Sequence, residues 1–383
     1  MLNTVPTVAA GRQPRAVVRV NGAPMPGWVS WEVTANTYYE ADTFRVSFAT
    51  SAMADQTAPA WGALDKSLGR KLKAADWFSQ QAEIYVEILA GFPSNPADPS
   101  ANELSSLIYG RVDDIEFDPV STMLSLTGRD LTAVFIDTRV AGEWSNQTSS
   151  GIATMLAKNH ALTPKITATS TPVGVFYQHD QVRLRANQSE WDLLAWLARE
   201  EGFVCYVAGQ ELHFEPDAKE SAEPYVLQWQ AGPVANIEQM SFSRSLTVAK
   251  GVTVTVRSAS LRGKVPVVES YPSHAKVVQA GKASPFGNTQ NYYFTLPAGS
   301  TAVRCQQYAQ ARYREIIAHE MRMRARLPAD NLLQAKSVIK VQGTGTAFDQ
   351  TYYPMSITRM MSMDEGYTML VDAKNRNPDS PLQ

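Results

Sequence analysis

Four acidic residues crowd together at Asp113, Asp114, Glu116 and Asp118. Paired carboxylates are the groups that glycosidases and hard-cation sites use. If the segment is a strand, its two-residue period puts Asp114, Glu116 and Asp118 on one face and sends Ile115 and Phe117 into a core. A solvated sheet face explains the same spacing with no chemistry at all. His179-Asp180, with Arg183 and Arg185 close by, could form an acid–base pair, but a catalytic site needs several convergent groups. Other motifs fail at single positions. His319-Glu320 opens an H-E-x-x-H zinc pattern in which Met323 stands where the second histidine must be. Gly263-Lys264 lacks the upstream glycine of a phosphate-binding loop, since Ser258 is there, and Val265-Pro266 is no helix start. Gly343-Thr344-Gly345 has no third glycine and reads as a turn, and no G-x-S-x-G is present. The sequence offers no catalytic, cofactor-binding or metal-ligating set.

A basic row is the better binding candidate. Arg322, Arg324 and Arg326 alternate with Met321, Met323, Ala325 and Leu327, the pattern of a strand with one arginine face. Such a face can touch DNA phosphates without regard to base sequence. It can also pair carboxylates of another subunit bidentately, or lie in solvent among ordinary ion pairs. The alternation does not choose among these.

The 383 residues are too many for one ordinary core and suggest two to four domains. With 19% charged and 44% hydrophobic residues the chain is a folding one. A formal charge of −2 gives no global pull towards nucleic acid or anionic membrane. Cys205 and Cys305 lie far apart with no CxxC, so neither a metal knuckle nor a disulfide framework is indicated; Cys205 reads as a small core hydrophobe. The first twenty residues lack the features of a signal peptide, and no apolar run reaches membrane-spanning length. The expectation is a soluble chain made in the cytoplasm without a membrane anchor.

The elements that must position these groups are mostly strands. Arg15–Val20, Trp28–Thr34 and Thr43–Phe48 alternate, and strands resume over Ala82–Leu89, Leu107–Asp118 and Met123–Leu126. Between them, 52–81 reads as an inserted, partly helical loop. Many short strands with turn signals suggest an antiparallel barrel or sandwich. Thr148 or Ser149 could cap a helix carrying Ile152, Met155 and Leu156. Ser189 and Asp192 form a capping-box pattern ahead of Leu193, Leu194, Leu197 and Ala198, and Gly202 suits a left-handed C-cap. A hairpin follows, with Phe203, Cys205 and Val207 facing Leu212 and Phe214. Ile237–Leu246 and Val252–Val256 read as strands, Thr301 opens a long helix carrying Val303, Ala309, Ile316 and Ile317, and Pro354–Met363 with Tyr367–Ala373 makes a last hairpin.

The stretch Ser189–Pro216, SEWDLLAWLAREEGFVCYVAGQELHFEP, resembles the middle of phage baseplate hub proteins: the late-control D family, the Mu-like and T-even hubs, and the N-terminal part of the type VI spike protein VgrG. Gly128-Arg129-Asp130-Leu131-Thr132, and the ending from Tyr352-Tyr353-Pro354 to Asp372-Ala373, are similar to the same family. The resemblance implies an α+β, mainly β protein: a barrel-like domain over 1–137, an α/β middle domain over 138–230, and a second barrel-like domain over 231–383 with a loop and helix insertion near 259–320. It further implies a non-enzymatic virion protein of the tail baseplate, a homotrimer giving six quasi-equivalent barrel positions. That ring would adapt a hexameric tail tube to a trimeric spike and leave a channel in which DNA passes non-specifically. The tail tube or distal tail protein, a spike protein and other baseplate proteins are the expected partners. Only ten residues follow Ala373, where VgrG continues into a spike, so a separate spike and a phage-type, preferably contractile, tail are expected. Two rivals come from other classes: a cell-wall hydrolase using Asp114, Glu116 or Asp118, and a carbohydrate-binding tail module using Trp61 and Trp77. Neither accounts for the matched stretches.

Overall fold

The computed structural model describes residues 13–49, 78–79, 81–95, 103–139, 143–145, 147–170, 181–183, 188–216, 223–229, 236–246, 251–259, 265–273, 290–296, 298–317 and 320–375, without the side chains of 143–145 and 181–183. The chain opens with β1 (Arg15–Val20), β2 (Ala23–Met25), β3 (Trp28–Asn36), β4 (Thr43–Ala49), β5 (Tyr85–Gly91), β6 (Ser105–Asp118) and β7 (Met123–Asp130). A helical part follows, with α1 (Thr132–Asp137), β8 (Glu143–Ser145), α2 (Ser149–Asn159), β9 (Thr163–Ile166), β10 (Gln181–Arg183), α3 (Glu190–Glu201), β11 (Phe203–Ala208) and β12 (Glu211–Pro216). Then come β13 (Tyr225–Gln228), β14 (Gln239–Arg244), β15 (Val252–Ser258), β16 (Val267–Tyr271), β17 (Gln290–Leu296) and α4 (Ala302–Ile317). The last strands are β18 (Met321–Pro328), β19 (Ile339–Gln342), β20 (Thr351–Ser362) and β21 (Gly366–Lys374).

Strands from both ends of the chain belong to one thirteen-stranded sheet, in the order β14-β18-β21-β20-β3-β4-β7-β6-β5-β1-β2, with β19 and β13 branching from β20. The seam is β3 against β20, antiparallel from Ser30↔Ser362 to Asn36↔Ser356. Alternation builds it: Trp31 and Val33, Phe44, Val46 and Phe48, Met323 and Ala325, and Met369 and Val371 all turn to one buried face and form one apolar cluster. The mainly β, largely antiparallel make-up is as the sequence suggests. Both β regions share a sheet and a core, and among the described residues no pairing closes either region into a barrel. Gly110 and Gly128 bring β6 and β7 unusually close under the Phe44 ring, because a Cβ at either would strike a carbonyl of the facing strand.

The middle unit is three helices packed on the small sheet β11-β12-β9. Its local signals act as the sequence suggests. Ser189 Oγ accepts from Asp192 N while Asp192 reaches back to Ser189 N, and Gly202 (φ 69°) closes α3 in the left-handed region. Thr148 Oγ1 caps α2 by accepting from Gly151 N. Cys205 faces Phe214, and Val207 faces Leu212, in the buried cluster. The unit is tied to the large sheet through the β3–β4 connection. Tyr39 donates its hydroxyl to Phe203 O, its backbone N–H bonds Cys205 O, Trp191 Nε1 donates to Tyr39 O, and the Arg199 guanidinium lies 4.7 Å over the Tyr39 ring. Tyr38 (φ 36°) and Tyr39 (φ 71°) hold positive φ to make this contact.

A second small sheet, β16-β15-β17, carries α4 on one face, with Val252, Val254, Val256, Cys305, Ala309 and Tyr313 in its own core. Val252–Val256 therefore lies in this unit and not among the strands of the large sheet. Val303, read as part of the apolar stripe of α4, is 65% exposed, because the helix turns only one side to the small sheet. No helix among the described residues is long and apolar enough to cross a membrane.

Candidate functional site

Opposite the buried face, the large sheet presents a polar face that can be followed strand by strand through the register. Arg322, Arg324 and Arg326 on β18 stand beside Ser243, Ser241 and Gln239 of β14 and, on the other side, beside Lys374, Asp372 and Leu370 of β21. The row passes through Ser356 and Thr358 of β20 to Asn36 and Thr34 of β3, where the two threonine hydroxyls bond across the seam at 3.0 Å. It continues through Thr43, Arg45 and Ser47 of β4 to Arg129, Thr127 and Ser125 of β7, with Ser47 Oγ 3.1 Å from Ser125 Oγ. It ends on β6 at Arg111, Asp114 and Glu116. The two charged groups singled out in the sequence therefore stand on the same face, near opposite ends of one sheet.

Arginine alternation on β18 is as the sequence suggests, with Met321, Met323, Ala325 and Leu327 buried and Arg322 and Arg324 exposed. Arg326 is engaged within the chain, 3.0 Å from Glu365 and 3.3 Å from Glu238. Arg324, with a side chain 61% exposed, is 3.6 Å from Asp372, a surface pair of little energetic weight.

On β6, Asp114 and Glu116 stand opposite Thr127 and Ser125, and Asp118 opposite Met123. A bulge between Val112 and Asp114 adds Asp113 to this side, where it accepts from Arg129 Nε at 2.6 Å and Nη2 at 2.9 Å. Strict alternation puts Asp113 on the other face, so the bulge is the signal the sequence lacks. Asp137 joins the same network through Arg111 and Arg129. Burial alone would raise its carboxyl, but those two guanidinium groups outweigh that and hold it below the ordinary carboxylate range. Asp118 is held low by the Ser121 hydroxyl and the Val120 N–H.

Ile115 and Phe117 depart from expectation. They are 39% and 44% exposed, because β5 accompanies β6 only as far as Tyr85↔Arg111 and beyond that point β6 has β7 alone. A hollow of about 300 Å³, lined by Glu32, Thr34, Arg45, Asp113, Asp114 and Thr127, lies on the polar face between the two charged rows. Its carboxylates come from two strands, Glu32 of β3 and Asp113 and Asp114 of β6, with Arg45 and Thr127 between them, and Asp113 is already engaged by Arg129. Among the described residues no group of His, Cys, Asp and Glu could hold a metal ion. His179, Asp180, Arg185, Trp61 and Trp77, with His319 and the Gly263-Lys264 pair, lie outside the described residues, and Arg183 is placed only as backbone in β10.

No protein-family model and no curated protein matches the sequence. Solved structures do match the fold. A tail protein from Neisseria meningitidis MC58 aligns with 96% of this chain and 98% of its own, at 16% identity and a TM-score of 0.67. The 43 kDa tail protein of prophage MuSo2 from Shewanella oneidensis covers 94% and 98%, at 15% identity and 0.65. A component of the E. coli type VI secretion system, described as structurally similar to the T4 tail proteins gp27 and gp5, covers 96% and 78%, at 12% identity and 0.54. At this identity the likeness is one of fold. By fold, the chain is similar to these phage tail and type VI proteins, in line with the resemblance carried by Ser189–Pro216.

Proposed function

We propose that this protein is the structural hub of a phage or phage-like baseplate. Three copies form a ring that adapts a hexameric tail tube to a trimeric spike, with a channel left for DNA, and the protein does no catalysis. The chain divides on this reading near residues 137 and 230, the β regions on either side supplying the ring and the α/β unit between them bracing it. Its partners are other copies of itself, the tail tube or distal tail protein, a separate spike protein and further baseplate proteins, and its place is the virion.

The observation that carries the reading is the likeness over nearly the whole chain to two tail proteins of almost the same extent. Physical reasoning adds to it. A ring of identical chains satisfies every subunit edge only when unlike patches meet around a closed rotation. The polar face carries groups of both signs, Arg322 and Arg324 on β18 and Asp114 and Glu116 on β6 among them.

The test is the absolute mass of the purified protein by light scattering, over a range of concentrations and with candidate tube and spike proteins added. A trimer, or a monomer converted to a trimer by the spike, is the expected result. A monomer at every concentration, indifferent to both partners, would sink the reading.

A further inference from the structure

We infer that His213 works a proton-sensitive latch between the middle unit and the large sheet: neutral, it leaves Lys336 docked on the β11–β12 hairpin, and protonated, it loosens that contact. The latch belongs to the single chain and does not depend on the ring proposed above.

Its geometry spans two bodies. On the face of β11-β12-β9 turned away from the buried cluster, His213 stands opposite Tyr206 of β11 and opposite Lys165 of β9. The Tyr206 and His213 rings stack, with centroids 4.6 Å apart and planes 10° from parallel. Lys336 reaches this row from the 329–338 connection of the large sheet. Its ammonium lies 4.5 Å over the Tyr206 ring and 2.6 Å from Glu215. That connection is fixed on the sheet side. Arg359 donates to Asp330 O at 2.9 Å, the Asp330 carboxylate accepts from Leu332 N and Leu333 N, and Asn331 Nδ2 donates to Ala90 O. Ser337 N closes a turn on Gln334 O at 2.9 Å, with Lys336 upon it. A loop held in this way stays with the large sheet when its tip loses the hairpin.

A proton on His213 arrives among groups already committed. Glu215 accepts from Lys336 and, at 2.8 Å, from the Tyr206 hydroxyl. Glu211 lies 3.5 Å from His213 and also 3.5 Å from Lys165, so two cations share it once the imidazole is charged. Tyr38, from the β3–β4 connection, packs on the Tyr206 ring at 5.8 Å and brings no carboxylate. The imidazolium is therefore a third positive group beside Lys165 and Lys336. Burial pushes the His213 imidazole down from its ordinary value and Lys336 adds to this, against the pull of Glu215 and Glu211. With the folded value below the unfolded one of about 6.5, the latch holds fully above that pH. It is lost as pH falls through the folded value.

The test follows amide exchange of the full chain at about pH 7.5 and about pH 5, on either side of the unfolded histidine value, corrected for the intrinsic pH dependence of exchange. It is joined to an NMR titration of the His213 ring, assigned by its absence in His213→Gln. In the wild type, protection over 203–208 and 334–338 should fall severalfold on acidification. In His213→Gln, which stays polar and planar but takes up no proton, it should hold. Lys336→Met keeps the stem and loses the charge; it should show the weaker protection at both pH values, with a His213 ring that titrates higher than in the wild type. A wild-type His213 ring titrating at or above the unfolded value would overturn the latch. So would wild-type protection that acid leaves unchanged, or an acid loss that persists in His213→Gln.

Discussion

Two small three-stranded sheets hang on the large one, built alike but attached differently. Each has one parallel and one antiparallel pairing, helical cover and a buried cysteine: Cys205 in β11-β12-β9, Cys305 on the helix over β16-β15-β17. The first is anchored by the Tyr39 contacts to β3–β4 and by Lys336, which lies 4.5 Å over the Tyr206 ring and 2.6 Å from Glu215. The second meets α3 through a partly exposed ion pair, Arg304 with Glu200 at 2.7 Å. Aromatic and backbone contacts exclude water and fix an orientation, whereas part-solvated ion pairs hold two bodies near each other without fixing it. The middle unit should therefore unfold with the large sheet and the outer unit apart from it.

The comparison breaks first at the core of the middle unit. Phe214→Ala removes a fully buried ring between Cys205 and Phe203 and should destabilise by about 3–5 kcal/mol. Chemical denaturation should show the loss in the transition of the large sheet, while amide exchange in β15–β17 stays as in the wild type.

Next in size is a pH effect at the root of the anchor. Asp42 accepts from Asn36 N at 2.7 Å and sits beside buried Asp130; burial pushes its carboxyl up to about 7. A raised folded-state value means the native chain holds a proton that the unfolded chain releases near 4. Stability from this site is thus complete below about pH 4 and lost as pH rises through about 7, on the order of 4 kcal/mol at full effect. Thermal melts of Asp42→Asn against wild type should diverge across that window, the variant losing less on going from pH 5 to 8.

Tyr39→Ala is smaller, about 2 kcal/mol, from one hydrogen bond and one cation–π contact. Faster amide exchange confined to 203–207 would mark local undocking. Arg304→Ala, the weakest, should change stability by under about 1 kcal/mol yet loosen the outer unit, read as greater protease susceptibility around α4.

What was legible in the sequence was what neighbours in sequence decide. The Ser189–Asp192 capping box, Thr148, Gly202 and the arginine alternation are each set by residues within a few positions, and each stands where the spacing puts it. Three features were not legible for a common reason. The β3–β20 seam joins residues as distant as Thr34 and Thr358, the exposure of Ile115 and Phe117 depends on where β5 stops, and the placement of Asp113 depends on a bulge. Each is a property of a partner strand, and periodicity within a strand carries no record of its partner. The same holds for β15, whose alternation suits either sheet.

The seam between β3 and β20 also sets a schedule. Its two strands lie more than three hundred residues apart, so on the ribosome β3 is made early and waits for almost the whole chain before its partner emerges. Loop closure over that span is slow compared with local hairpins, and an unpaired strand edge left waiting invites pairing with other nascent chains. Productive folding of this protein is thus decided late in synthesis, and the yield of folded chain depends on protecting one edge until the last hairpin arrives.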